Sequence, residues 1–150
     1  MKMFTRIAIF TMIAALPLFG SGNKDTNHAP MMEGGAMEKD TMTAKAGFVE
    51  FKDIDDAMTK AESKPTVLFF EASWCPSCQS ARKNFEANQD KLQDIYLISV
   101  DYDHSADLQT KYGVTYQHTF VQIGPDGEAI TKWNGGTTSD VLGNIVKGGM

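Results

Sequence analysis

From Gly47 onward the spacing of apolar residues switches repeatedly between that of a strand and that of a helix. Phe48 to Phe51 is a short strand candidate. Asp53 to Ser63 sets Ile54, Ala57, Met58 and Ala61 at helical spacing behind Asp53, a suitable N-cap, and Lys64-Pro65 ends the helix. Thr66 to Ala72 is a nearly continuous apolar run, as expected of a central strand buried on both faces. Pro76 to about Asn88 reads as a helix with Ala81, Phe85 and Asn88 inward, and Ile95 to Asp101 as a second buried strand. A short helix from Ser105 to Tyr112 stops at Gly113, a good left-handed terminator. Thr119 to Ile123 and Ala129 to Trp133 flank the turn sequence Pro125-Asp126-Gly127, which predicts an antiparallel hairpin. Asp140 to Lys147 is a final helix with Val141, Leu142, Ile145 and Val146. The order β-α-β-α-β-α-β-β-α is that of an α/β domain over 47–150, a mixed central β-sheet flanked by helices on both faces.

The residues before this domain follow other rules. Lys2 and Arg6 precede an apolar run of thirteen residues, Ile7 to Phe19, and small residues follow at Gly20, Ser21 and Gly22. This is the layout of a signal peptide over 1–22, and the run is short against the roughly 20 residues of a membrane-spanning helix. Cleavage after Gly20 or Gly22 is expected, with an uncleaved membrane anchor as the alternative, so the membrane is met only through this segment. The expected location is exported, periplasmic or secreted, where disulfides persist. Residues 23–46 have no aromatic or β-branched aliphatic side chain and read as a disordered linker. It carries Met31, Met32, Met37, Met42 and His28, soft donors that suit Cu(I), although a linker also tolerates methionine for no special reason.

The full chain of 150 residues suffices for one domain, and its net charge of −5 argues against nucleic acid as a partner. Removing 1–22 leaves 12 basic against 19 acidic side chains, a charge of −7. Only two cysteines occur, so the chain is not a disulfide-dense scaffold, and their spacing carries the chemistry.

Ser73-Trp74-Cys75-Pro76-Ser77-Cys78 lies where the apolar strand meets its helix. A cysteine at a helix start faces unpaired backbone N–H groups and the positive end of the helix dipole, which favours thiolate and makes Cys75 the expected exposed nucleophile. Cys78 lies one turn later on the same face, more buried and close enough to close a disulfide. Pro76 fits the first helical turn, where no N–H is needed. Trp74 is expected to shield one side of the dithiol. With no second cysteine pair, a four-sulfur zinc site within one chain is excluded.

Phe69 to Cys78, taken as one stretch, resembles the active-site strand and turn of the thioredoxin family. Lys111-Tyr112-Gly113-Val114 resembles that family's Tyr-Gly-Val segment, and Phe120 to Ile123, Pro125-Asp126-Gly127 and Gly135-Gly136 match its closing hairpin and last-helix glycines. The resemblance covers roughly 47 to 148. It implies a thioredoxin-like fold and thiol-disulfide exchange in which Cys75 attacks, a mixed disulfide forms and Cys78 resolves it. It also implies protein disulfides or dithiols as substrates, contacted at Gln117 and Thr119, a redox partner protein, a monomeric chain and no bound organic cofactor.

Two departures from the family stand out. The family usually has a cis-proline four residues after the Val of Tyr-Gly-Val, directly before a Thr; here that place holds His118. A protonated imidazole beside the sulfurs stabilises the Cys75 thiolate, whereas a neutral one completes a Cys75/Cys78/His118 metal site for Cu or Zn, the alternative function; a loop residue without special role is the third reading. The buried carboxylate that many thioredoxins carry six residues before the first cysteine is replaced by Phe69. Glu71 is the nearest acid and either assists proton transfer to Cys78 or points into a solvated edge. Asp101, Asp103 and His104 look like a metal cluster on paper, but the turn from strand to helix makes capping by Asp and Ser the better reading. Trp133, Tyr116 and Phe120 are expected to be core or groove-lining aromatics.

Overall fold

The longest apolar run of the domain, Thr66–Glu71, is buried along its whole length, as a strand with helices on both sides must be. In the computed structural model, which describes residues 45–147, this run is one of five strands: β1 Gly47–Glu50, β2 Thr66–Glu71, β3 Tyr96–Asp101, β4 Thr119–Ile123 and β5 Ala129–Asn134. Their order in the sheet is β1-β3-β2-β4-β5. β3 runs parallel to both β1 and β2, whereas β4 is antiparallel to β2 and to β5. The helices are α1 Ile54–Ala61, α2 Pro76–Ala87, α3 Ala106–Tyr112 and α4 Thr138–Asn144. Element order and sheet type are those expected. The expected signal peptide and linker lie outside the described residues but for the linker's last two. Among the described residues no helix is long and apolar enough to cross a membrane.

Strand alternation sorts the core into two layers. Val67 and Phe69 of β2, Leu97 of β3 and Phe120 of β4 face Ala81 and Phe85 of α2 and Val141 of α4; Cys75 and Cys78 belong to this layer. Leu68, Phe70, Ile98, Val100, Val121 and Ile123 face the other way, against Ala57 and Ala61 of α1 and Tyr112 of α3. Phe69 pairs with Phe120 across β2 and β4, and their rings stack at 4.5 Å and 9°. Trp133 continues the stack on Phe120 at 5.5 Å, and Phe85 meets Phe69 edge-on at 5.5 Å. Each such pair adds about 0.5–1.5 kcal/mol beyond simple area burial. The floor beneath the cysteines is therefore a rigid aromatic layer.

Most element ends follow the local chemistry. Asp53 caps α1 by accepting the Asp56 N–H at 2.7 Å, and Gly113 closes α3 at φ 59°, a conformation that favours glycine. Three details differ from the sequence expectation. α4 starts at Thr138, not Asp140, because Thr137 and Asp140 form a reciprocal capping box. It also ends before Val146, because the buried Gln122 amide takes both backbone groups of that residue, at 2.8 and 3.0 Å, and Ile145 turns extended to allow it. Between α2 and β3 lies an unforeseen 3₁₀ turn, Gln89–Leu92; its Leu92 fills the α2-side core and its Gln89 amide pairs with the backbone of Phe48, at 2.9 and 3.0 Å.

Candidate active site

The site is built where β2 hands the chain to α2. Cys75 is the N-cap of α2, with extended backbone, and its sulfur accepts the Cys78 N–H at 3.2 Å. Pro76 occupies the first helical turn as expected. The Ser77 hydroxyl lies 3.1 Å from the same sulfur and donates to it once the thiol is ionised. Burial opposes ionisation of Cys75, but hydrogen bonds from the Cys78 thiol, the Ser77 hydroxyl and the backbone N–H groups of both residues outweigh it, so the thiol is held below its ordinary range. Cys78 behaves in the opposite way. Burial, its own hydrogen bond to Cys75 and the nearby charges of Cys75 and Glu71 push its thiol far up. The two cysteines are free thiols of opposite character, one easily ionised and one held neutral.

One expectation needs correction. Cys75 is not the exposed sulfur the sequence suggested: it is 3% exposed, against 0% for Cys78. The N-cap geometry turns its sulfur inward over the helix end, where Ser77 and Cys78 bond to it, and it joins the aromatic layer. Trp74, expected to shield one side of the dithiol, is largely open to solvent. It is 58% exposed, and its indole N–H donates to the Asp103 carboxylate at 2.8 Å.

His118 reaches the dithiol from the other side, on the loop entering β4. One imidazole nitrogen of His118 and the sulfurs of Cys75 and Cys78 all lie within 4.8 Å of one another. The ring sits edge-on to Phe69 at 5.5 Å and tilted on Phe120 at 5.7 Å. His118 Nε2 is buried and has no hydrogen-bond partner among the described residues. The backbone here is unusual, with φ 61° at a residue other than glycine. It is held by His118 N–H donating to the Phe70 carbonyl at 2.7 Å and by the His118 carbonyl accepting from the Gly135 N–H at 2.9 Å and the Asn134 amide at 2.9 Å.

The remaining candidates separate. Thr119 is buried and its hydroxyl donates to the Tyr116 carbonyl at 2.8 Å, so its side chain holds the loop. Gln117 is half-buried beside it, its carbonyl accepting from Asn134 at 3.3 Å. Glu71 shares a strand face with Phe69, as alternation requires, but is committed elsewhere. Its carboxylate accepts from Arg82 Nε at 2.9 Å, and also from Arg82 Nη2 and the Ser99 hydroxyl, while Arg82 Nη1 reaches Glu50 at 2.8 Å. That network went unseen in the sequence. The available signal was a carboxylate ending a buried strand with an arginine on the next helix, a pairing buried charges require.

Asp101 and His104 pair at 2.8 Å on the surface, and Asp101 also accepts the Asp103 N–H at 2.9 Å. Ser105, at the start of α3, makes no side-chain cap, so the expected serine cap is absent and the aspartate organises the turn instead. Phe120 is core, Trp133 half-buried against it, and Tyr116 lies 56% exposed on the loop before His118.

The chain is similar to known proteins in sequence and fold. The thioredoxin family model matches residues 48–148. The chain is 35% identical to rice thioredoxin H5 over 92 residues, 60% of this chain and 67% of that one. It is 33% identical to thioredoxin H4 of Arabidopsis thaliana over 89 residues, 59% of this chain and 74% of that one. Among solved structures, the reduced thioredoxin pre-protein of Schistosoma mansoni superposes with a TM-score of 0.55 at 25% identity, covering 65% of this chain and 94% of that one. With two-thirds of its length matched by the family model and an ionisable cysteine capping the helix ahead of a buried partner, the chain belongs to the thioredoxin family and is a thiol-disulfide oxidoreductase working through Cys75 and Cys78.

Proposed function

We propose that the protein exchanges its dithiol with disulfides of protein substrates outside the cytosol. The Cys75 thiolate attacks one sulfur of a substrate disulfide; a mixed disulfide forms and the other substrate sulfur leaves as a thiolate that takes up a proton. Cys78 then loses its proton and attacks the Cys75 sulfur, the second substrate sulfur departs as a thiolate that takes up a proton, and the dithiol has given up two electrons in becoming the Cys75–Cys78 disulfide. Exchange is reversible, so a redox partner protein sets the direction. The observation that carries this reading is the Cys78 N–H held on the Cys75 sulfur at 3.2 Å, which stabilises the attacking anion and keeps the resolving thiol within reach.

The rings of Trp74, next to Cys75 in the chain, and of Tyr116, two residues before His118, are exposed, and with Gln117 they offer an apolar and amide surface against which an extended peptide can lie. Export is supported by Lys2 and Arg6 ahead of the apolar Ile7–Phe19 run. Insulin reduction driven by a dithiol donor tests the chemistry: the wild type is expected to accelerate it and Cys75→Ser to abolish the acceleration, while full activity in that variant overturns the assignment. Mass spectrometry of the protein recovered from its host tests the export. A mature chain starting at Ser21 or Asn23 is expected, and an intact Met1 start in a cytosolic fraction contradicts it.

A further inference from the structure

We infer that the reduced protein also holds one d10 metal ion, Cu(I) or Zn(II), between Cys75, Cys78 and His118. The inference goes beyond disulfide exchange and rests on different observations. Three side chains of metal-ligating type converge here, with their ligand atoms within 4.8 Å of one another. Metal–sulfur bonds of about 2.3 Å and metal–nitrogen bonds of about 2.0–2.1 Å put such donors ~3.5–4 Å apart around a single ion. The site therefore needs to contract by at most about 1.3 Å, a side-chain adjustment. Two thiolates and an imidazole form a soft to borderline set that suits Cu(I) and Zn(II).

The second observation is the orphaned His118 nitrogen. Nε2 is buried with no hydrogen-bond partner among the described residues, at a cost of about 1–3 kcal/mol for an unmade hydrogen bond. The backbone that carries this ring is anything but slack. It adopts φ 61° and is pinned by hydrogen bonds to Phe70, Gly135 and Asn134. A costly backbone conformation that brings an imidazole with an unpartnered nitrogen to a pair of thiols is preorganised for a ligand shared with them. Three protein donors leave one coordination position open. Cu(I) is satisfied by three donors, whereas Zn(II) takes water or an external ligand as its fourth.

The consequence is a redox-gated site. Binding an ion displaces the protons of the two thiols and occupies the sulfur lone pairs, so the bound dithiol cannot attack a disulfide. Once the ion has dissociated, the free dithiol passes two electrons and its two protons to a substrate disulfide, which becomes two thiols, and the resulting Cys75–Cys78 disulfide has no thiolate left to rebind the ion.

The test uses the full chain, reduced under argon with two thiols counted by titration. It is loaded in one arm with Cu(I) against a bicinchoninate competitor and in the other with Zn(II) against a pyridylazo competitor. One ion per chain after desalting is expected in at least one arm, which identifies the metal. His118→Asn keeps a residue that tolerates positive φ and should weaken binding by roughly tenfold or more; His118→Gly gives the same comparison should the asparagine variant misfold. The Cys75→Ser/Cys78→Ser double variant and the oxidised protein should retain none. No retained ion in the reduced wild type overturns the inference, as does equal affinity in the folded His118 variants. Retention by the double serine variant also overturns it, because the ion would then sit elsewhere, for instance on the methionines of residues 31–42. Insulin reduction by the metal-free protein is scored separately, so loss of the metal site leaves the exchange reading intact, and the reverse.

Discussion

His118 donates its backbone N–H to the Phe70 carbonyl at 2.7 Å while its own φ stands at 61°. A proline has no N–H and is locked near −65°, so the backbone here, and not only the side chain, departs from the family habit of a proline at this place. Restoring the proline should therefore damage this protein. His118→Pro is expected to cost about 2 kcal/mol or more, from one lost hydrogen bond and a forced backbone change. At about 4–8 °C per kcal/mol that lowers the Tm by at least ~8 °C. Thermal unfolding of the reduced protein checks this, and an unchanged or raised Tm would mean the loop is held differently.

The asymmetry of the two thiols predicts a pH profile. Cys75 is an acid whose folded form favours the anion, so its alkylation should persist below the ordinary thiol range and fail as the pH falls through the lowered value. Cys78 is an acid whose folded form favours the neutral thiol, so it should resist alkylation until the pH rises well above that range. Iodoacetamide rates against pH, with the modified cysteine mapped by mass spectrometry, read both. Ser77→Ala removes the hydroxyl 3.1 Å from the Cys75 sulfur. It should shift that limb of the profile upward while changing stability by no more than about 0.5 kcal/mol.

The Glu71–Arg82 cluster separates structure from catalysis. Arg82→Ala leaves Glu71, only 9% exposed, without its main partner and should cost about 3 kcal/mol, the lower end for breaking a buried pair, since Arg82 is itself partly exposed. Glu71→Gln should also lower the denaturation midpoint yet leave insulin reduction close to the wild-type rate, because Arg82 and Ser99 already hold the carboxylate. A strong fall in rate with little change in stability would make Glu71 the proton acceptor for Cys78.

The legible parts of this protein are those fixed by local pattern. The apolar run ending in Glu71, the Cys75-Pro76 helix start, Gly113 and the Pro125-Asp126-Gly127 turn each carry their conformation in a few adjacent residues, and they place strands, helices and dithiol correctly. What escaped depends on residues far apart in the chain. α4 stops where the Gln122 amide captures Val146, 24 residues away. Arg82 finds Glu71 across eleven residues and Ser99 across seventeen. Cys75 is covered because α2 docks on the aromatic layer of Phe69 and Phe120, and no spacing rule at the cysteines reports that. The positive φ of His118 is set by Phe70 and Gly135, which meet only in the folded sheet.

The division of labour between the two sulfurs is tested most directly by trapping. Cys78→Ser leaves the attacking Cys75 in place at the helix start and removes the thiol that resolves the intermediate. Incubated with intact insulin or a disulfide-bonded peptide and then separated without reductant, this variant should accumulate a mixed disulfide through Cys75, identified by mass spectrometry and released by dithiothreitol. Cys75→Ser should accumulate none. Trapping on Cys78 in the Cys75→Ser protein at a comparable rate, or no adduct on Cys75 under conditions where the wild type reduces the same substrate, would contradict the account.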